Sequence, residues 1–292
     1  MLVFRKKEAL RQHLQEQRRS GTTLGLVPTM GALHQGHLSL LQHALASCGH
    51  VVCSVFVNPT QFTRAEDLEK YPRMPEQDLA LLEAAGCHTV FLPEVEEMYP
   101  SQALTHMHFG PLEAVMEGRY RPGHFSGVGL VVSKLFNIVQ PDKAFFGQKD
   151  LQQCRIIEQL VRDLSFPIEI TLVPTLREAD GLALSSRNMR LSAAGRQTAT
   201  HLHQALQQAA RALQEGASPQ TAQNGALSYL QGVPELEPEY FCIVEGGTLQ
   251  ELDTVLQAES VALCVAAYVE GVRLIDNLLL APYTITTTTT RP

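Results

Sequence analysis

A chain of 292 residues is long enough to bury one large core or two ordinary ones, and 45% hydrophobic with 18% charged residues is the balance of a globular protein, not a disordered or fibrous one. The formal net charge of −7 lacks the basic excess of a nucleic-acid-binding domain. No apolar run approaches the ~20 residues that span a bilayer, so neither nucleic acid nor membrane is an expected partner.

At the N-terminus, MLVFRKKEALRQHLQEQRR is basic but has too few apolar residues before Arg5 for a secretory signal, and Glu8 and Glu16 argue against a transit peptide. Short β-branched runs bounded by Gly or Pro predict strands at 23–28, 51–57, 88–93, 143–147 and 168–174. Between them apolar residues recur at helical spacing: Leu38, Leu41, Leu45 and Cys48, then Val128, Val131, Leu135 and Val139, then Leu151, Cys154, Ile157 and Leu160. Such alternation implies an α/β fold, a Rossmann-like doubly wound parallel sheet whose ligand crevice lies at the C-terminal ends of its strands.

Beyond about residue 176 the texture changes. An Ala/Gln-rich helix is expected over 192–213, and Ser218-Pro219 reads as the cap and first position of another. Strand-like runs follow at 239–245, 261–269 and 272–278. The expected division is a Rossmann-like domain at 1–175, a second, smaller α+β domain at 176–282, and a Thr-rich tail at 283–292 expected to be disordered. The six cysteines (48, 53, 87, 154, 242 and 264) form no C-x-x-C pair and mostly sit in apolar runs. They read as buried, reduced thiols of a cytoplasmic protein.

Five segments carry candidate chemistry. Pro28-Thr29-Met30-Gly31-Ala32-Leu33-His34-Gln35-Gly36-His37 follows the first predicted strand and opens an amphipathic helix. Its H-x-G-H spacing puts His34 and His37 one turn apart, where helix N-terminal amides and two imidazoles make a polyphosphate site. A zinc pair would need a third ligand, which nothing nearby supplies. After the second strand, Asn58 and Gln61 in Asn58-Pro59-Thr60-Gln61 can hydrogen-bond a hydroxyl or carboxylate; read alone, the string is an ordinary turn. Arg119-Tyr120-Arg121-Pro122-Gly123-His124-Phe125-Ser126-Gly127 offers an anion clamp in Arg121 and a Ser cap for the next helix.

In Gly147-Gln148-Lys149-Asp150-Leu151-Gln152-Gln153, Asp150 and Gln153 have capping-box spacing, whereas Lys149 opposes the helix dipole and wants an anion nearby. Finally, Asp180-Gly181-Leu182-Ala183-Leu184-Ser185-Ser186-Arg187-Asn188 groups two hydroxyls and a guanidinium as a phosphate grip.

H-x-G-H after a strand is shared with the nucleotidyltransferase superfamily, including class I aminoacyl-tRNA synthetases. The five strings together, with Asp67–Arg73 and Val272–Asn277, resemble the pantothenate synthetases (pantoate–β-alanine ligases) over about residues 2–282. The resemblance implies ATP-dependent condensation of pantoate with β-alanine through pantoyl adenylate, with Mg²⁺, in a cytoplasmic homodimer. It assigns catalysis to His34, His37, Lys149 and Arg187. ATP binding would involve Met30, Gly31, His34, His37, Gly147, Lys149, Asp150, Leu176, Leu184, Ser185, Ser186 and Arg187. Pantoate would meet Asn58, Gln61 and Gln153, β-alanine would meet Gln61, and no protein ligand of the metal is assigned. Thr60 and Gln148 depart from the usual Met and Glu; Thr60 is expected to touch no polar contact of the site. The alternatives are another H-x-G-H nucleotidyltransferase with a different acceptor, or a decayed scaffold that only binds nucleotide. The intact phosphate-gripping set argues against decay.

Overall fold

The computed structural model describes residues 1–256 and 258–280, so the expected tail at 283–292 lies outside the described residues. The chain divides into two compact bodies, Met1–Glu178 with Ala183–Met189, and Ala179–Leu182 with the chain from Arg190.

The first body is a six-stranded parallel sheet in the order β1-β4-β3-β2-β5-β6. Its strands are β1 (Leu2–Phe4), β2 (Leu24–Thr29), β3 (His50–Val55), β4 (Thr89–Phe91), β5 (Lys143–Gly147) and β6 (Glu169–Val173). The helices are α1 (Lys7–Arg19), α2 (Gln35–Ser47), α3 (Ala65–Glu69), α4 (Pro75–Ala84), α5 (Val95–Met98), α6 (Met116–Tyr120), α7 (His124–Val139) and α8 (Leu151–Asp163).

Period-2 alternation sends Leu24, Leu26, Val52, Ala144 and Phe146 into one core with α1, α7 and α8. Val27, Val51, Cys53, Val55 and Phe145 enter the other with α2 and α4. Burial on both faces is what near-continuous apolar strands demand. From β2 the chain proceeds to β3 on one side, while β5 lies on its other side. The strand order therefore reverses between β2 and β5, and a crevice opens beyond their C-terminal ends. The expected strands at 23–28, 51–57, 88–93, 143–147 and 168–174 are these five, displaced by a few residues at their ends.

The second body is an antiparallel sheet β7 (Leu236–Glu245), β8 (Val261–Val269) and β9 (Val272–Leu280), packed against α9 (Ala193–Gln214) and α10 (Pro219–Gln231). Ser218 caps α10 as its spacing implied, its hydroxyl accepting the Thr221 N–H at 3.2 Å, with Pro219 first in the helix.

Two local expectations are corrected. α7 begins at His124 behind Gly123 (φ 82°), so Ser126 lies within its first turn and accepts the Met107 N–H at 3.0 Å instead of capping. Asp150 precedes α8 with ψ 53° and makes no capping hydrogen bond.

Candidate active site

Strand β2 delivers its chain into the crevice through a loop that closes back on itself. The Thr29 hydroxyl donates to the Ser54 carbonyl at 2.8 Å and accepts the Gly31 N–H at 3.3 Å. Gly31 (φ 80°) and Ala32 (φ 51°) then turn left-handed. What holds them is a residue that sequence reasoning missed: the Asp78 carboxylate, 1% exposed on α4, accepts the Ala32 and Leu33 N–H groups at 3.0 and 2.7 Å. Gly31 is required there, since a Cβ would lie 2.8 Å from Asp78 Oδ2.

α2 starts with side chains in place of the missing turn. His34, the N-cap, accepts the Gly36 N–H on Nδ1 at 3.1 Å, and His37 Nδ1 accepts the His34 N–H at 3.3 Å. The two rings lie 4.1 Å apart. A Cβ on Gly36 would lie 2.8 Å from His34 Cε1, so only glycine leaves room for the cap. Burial, then the Lys149 charge, with Asp150 opposing, pushes His34 down to about 4. Burial, then His34 and Lys149, pushes His37 down to about 3. Both rings are therefore neutral at pH 7, and with Nδ1 accepting, each carries its proton on Nε2 as a donor. The amides of His34, Gly36 and His37 have partners inside the cap, so a ligand meets imidazole donors more than the helix amides the sequence suggested.

Strand β5 leads through the turn Gln148–Asp150 into α8. Lys149 Nζ lies 3.7 Å from the Asp150 carboxylate. Gln152 is buried and structural: its amide donates to the Leu112 and Val115 carbonyls and accepts the Glu117 N–H. Its neighbour Gln153 is half-buried, and no hydrogen bond among the described residues ties it to Gln61.

Beyond β3, a turn over Pro59–Gln61 packs on the first turn of α7. Gly127 permits the approach, because a Cβ there would collide with the Thr60 carbonyl. The His124 ring accepts from Arg121 at 3.2 Å on Nε2 and donates from Nδ1 to the Gln61 carbonyl at 2.8 Å. Asn58 Nδ2 donates to the Gly127 carbonyl at 3.2 Å and to Gln61 Oε1 at 3.0 Å. Asn58 Oδ1 accepts the Tyr99 hydroxyl at 2.8 Å and the Thr60 hydroxyl at 3.0 Å. Thr60 thus does contact a polar residue of the site, contrary to expectation.

Burial, then the Arg121 cation, lowers His124 to about 4. Between that value and the ordinary 6.5 the unfolded chain binds more protons than the folded one, so stability falls as pH drops below 6.5. From pH 7 to pH 5 this one group is expected to remove about 2 kcal/mol. Melting curves across that range check it, and His124→Asn, which keeps a donor to Gln61 without titrating, should flatten the slope.

The loop Ala183–Met189 completes the group. Leu184 N–H donates to the Leu176 carbonyl at 3.1 Å, and the Leu184 Cβ would stand 3.6 Å from a Cβ on Gly36. Ser185 accepts the Arg187 N–H at 3.3 Å. Burial raises the Tyr71 hydroxyl, with Ser186 and Arg187 opposing and Asp150 and Asp78 reinforcing the rise. His34, His37, Lys149, Asp150, Ser186 and Arg187 therefore share one electrostatic neighbourhood, and Gln61 joins it through Met30, its Nε2 lying 3.1 Å from the Met30 sulfur. Leu176 is 42% exposed and reaches this group through its backbone carbonyl.

Known proteins share this fold and much of this sequence. The family model for pantoate-beta-alanine ligase matches residues 2–279. The pantothenate synthetase of Cytophaga hutchinsonii is 47% identical over 281 residues, covering 96% of this chain and 99% of its own. The crystal structure of pantothenate synthetase from Thermus thermophilus superposes with a TM-score of 0.90 at 44% identity, covering 97% of this chain and 100% of that one. That of pantoate-beta-alanine ligase from Francisella tularensis, complexed with beta-gamma ATP and beta-alanine, gives 0.80 at 32% identity over 96% and 97% of the two chains. With the match continuous through both bodies and through each of the five segments, the chain belongs to the pantoate–β-alanine ligase family.

Proposed function

We propose that the crevice between β2 and β5 adenylates pantoate with ATP and then transfers the pantoyl group to β-alanine. The observation that carries this reading is the pair of neutral imidazoles with Nε2 protons beside Lys149, a donor set built for phosphate oxygens at the place where the strand order reverses. The Francisella relative, complexed with an ATP species and β-alanine, supports the same substrates here.

A carboxylate resists an amine because oxide is a poor leaving group. In the first step a pantoate carboxylate oxygen attacks the α-phosphorus of ATP, the bond to the bridging oxygen breaks, and pyrophosphate leaves. Negative charge gathers on the phosphate oxygens, so catalysis is positioning plus electrostatic stabilisation. His34, His37, Lys149, Ser185, Ser186 and Arg187 supply the donors, while Met30, Gly31, Gly147, Asp150, Leu176 and Leu184 shape the nucleotide's place. Gln61 and Gln153 orient pantoate, whereas Asn58, expected to meet it too, is 1% exposed with its amide engaged by Gly127, Gln61, Tyr99 and Thr60, and acts through Gln61.

In the second step the β-alanine amine attacks the acyl carbon and AMP departs; Gln61 also faces this substrate. His37 is a poor base for the ammonium proton, since its Nδ1 lone pair already holds the His34 N–H. Water takes that proton.

Among the described residues no cluster of His, Cys, Asp or Glu suits a metal ion. Of the carboxylates here, Asp78 holds the Ala32 and Leu33 amides and Asp150 lies 3.7 Å from Lys149, so the magnesium of this reading would enter as Mg–ATP, held mainly by phosphate oxygens and water. A cytoplasmic homodimer completes the proposal, supported by the family resemblance and, for the compartment, by five of the six cysteines being buried. Among the described residues no helix is long and apolar enough to cross a membrane.

The test is pyrophosphate release from Mg–ATP. Release that depends on pantoate, with AMP and pantothenate appearing only after β-alanine is added, is expected. Release indifferent to pantoate overturns the reading.

A further inference from the structure

The amide of Gln61 faces a choice that its own side chain cannot make. Oxygen and nitrogen are nearly the same size, and either end can point at a substrate. The surrounding hydrogen bonds decide. The Gly127 carbonyl only accepts, so the Asn58 amide must turn its –NH₂ toward it. The same –NH₂ donates to Gln61, which must answer with Oε1. Gln61 is then left with its own –NH₂ directed toward the site, where its partner is the Met30 thioether at 3.1 Å. A thioether is a weak acceptor. A buried amide donor (Gln61 is 7% exposed) so poorly matched gains by meeting a ligand oxygen.

The other end of Asn58 is held from outside this chain of bonds. Its Oδ1 accepts from Tyr99 and Thr60. The Tyr99 ring is itself fixed, packed near Phe56 with the Lys134 ammonium 5.0 Å from its centroid. Burial raises the Tyr99 hydroxyl and keeps it protonated as a donor. Thr60 is exposed, so water competes with its contribution, whereas Tyr99 is half-buried.

Resting on the reading that pantoate meets Gln61, we propose that Tyr99, seconded by Thr60, is a positioning residue for pantoate. By holding Asn58 Oδ1 it fixes the Asn58 amide, and through it sets Gln61 to present –NH₂, a donor, to the oxygens of the hydroxy acid. Without these two hydroxyls only the Gly127 carbonyl, at 3.2 Å, holds the Asn58 amide in this orientation, and its flipped form becomes more populated. Gln61 then offers its carbonyl for part of the time, which repels a carboxylate.

The experiment compares Tyr99→Phe, Thr60→Val and the double variant with Gln61→Ala, measuring KM for pantoate, KM for ATP, kcat and the thermal midpoint. The expected result is a rise in pantoate KM of about tenfold in the double variant, larger than the product of the two single effects because each hydroxyl covers for the other. ATP KM should stay within about twofold, since no hydrogen-bond change reaches the phosphate donors. If Gln61→Ala raises pantoate KM and the double variant does not, the positioning role is overturned while the substrate's placement stands. If Gln61→Ala has no effect either, pantoate does not sit at Gln61 and both fall. A double variant in which both KM values move together with a lowered midpoint marks Tyr99 as a packing residue and also overturns the proposal.

Discussion

Replacing Lys149 with alanine is expected to lower kcat/KM by about 10²–10³-fold, on the order of 3–4 kcal/mol of transition-state stabilisation, as deletion of a donor to developing negative charge does. Lys149 enters α8 at its N-terminal end, where the helix dipole disfavours a cation, and its carboxylate neighbour Asp150 stands at 3.7 Å with a half-exposed side chain. The variant should lose about 1 kcal/mol of stability, the ordinary cost of truncating a side chain that is 19% exposed. Steady-state kinetics beside a melting curve separate the two effects, and Lys149→Arg should recover part of the rate by returning the charge. Near-parent turnover in Lys149→Ala would remove Lys149 from the mechanism.

The second large effect divides the two nitrogens of one ring. His37 Nδ1 caps the helix by accepting the His34 N–H, and Nε2 carries the proton that the proposed mechanism offers to phosphate. Asparagine places its oxygen near Nδ1 and nothing near Nε2; glutamine reaches toward Nε2. His37→Asn should therefore keep the fold and lose about 10²-fold in kcat/KM. His37→Gln should retain more activity but cost about 1 kcal/mol of stability for the abandoned cap. The two variants are compared in the same kinetic and melting measurements. Equal activity in both would mean that Nε2 is not a donor to the reacting phosphates.

How much of this was readable beforehand depends on how local each determinant is. Val51–Val55 and Phe145 announce strands because β-branched and aromatic residues at those positions have both faces to bury. The H-x-G-H string points to an anion site because its partners are within one turn. By contrast β1 is three residues at the sheet edge, two of them exposed, and carries no periodicity to notice. Asp78 sits in an acidic helix of ordinary appearance, and nothing marks it until the fold brings it to Ala32, 46 positions earlier. Thr60 was misjudged for the same reason, since its bond to Asn58 needs a particular tight turn. Asp150 shows the opposite failure: the capping-box spacing is present, but with the backbone at ψ 53° its side chain makes no hydrogen bond to the helix amides. Spacing states which groups can meet, and the backbone decides whether they do.

The capping of α2 by two imidazoles changes how a bound anion can be let go. Where backbone amides hold a phosphate directly, release requires the main chain itself to shift. Here each ring is a rigid spacer: an amide N–H enters at Nδ1, and the polarity emerges at Nε2, farther out and strengthened by the bond behind it. The contact point therefore rides on side-chain torsions. On the function proposed above, pyrophosphate would leave by a small swing of His34 or His37 that gives up the cap bond at Nδ1, while Asp78 keeps the loop of Gly31–Leu33 in place. A reaction that must discard one phosphate fragment and retain another for its second half is well served by a grip that opens at the fingertips and leaves the wrist still.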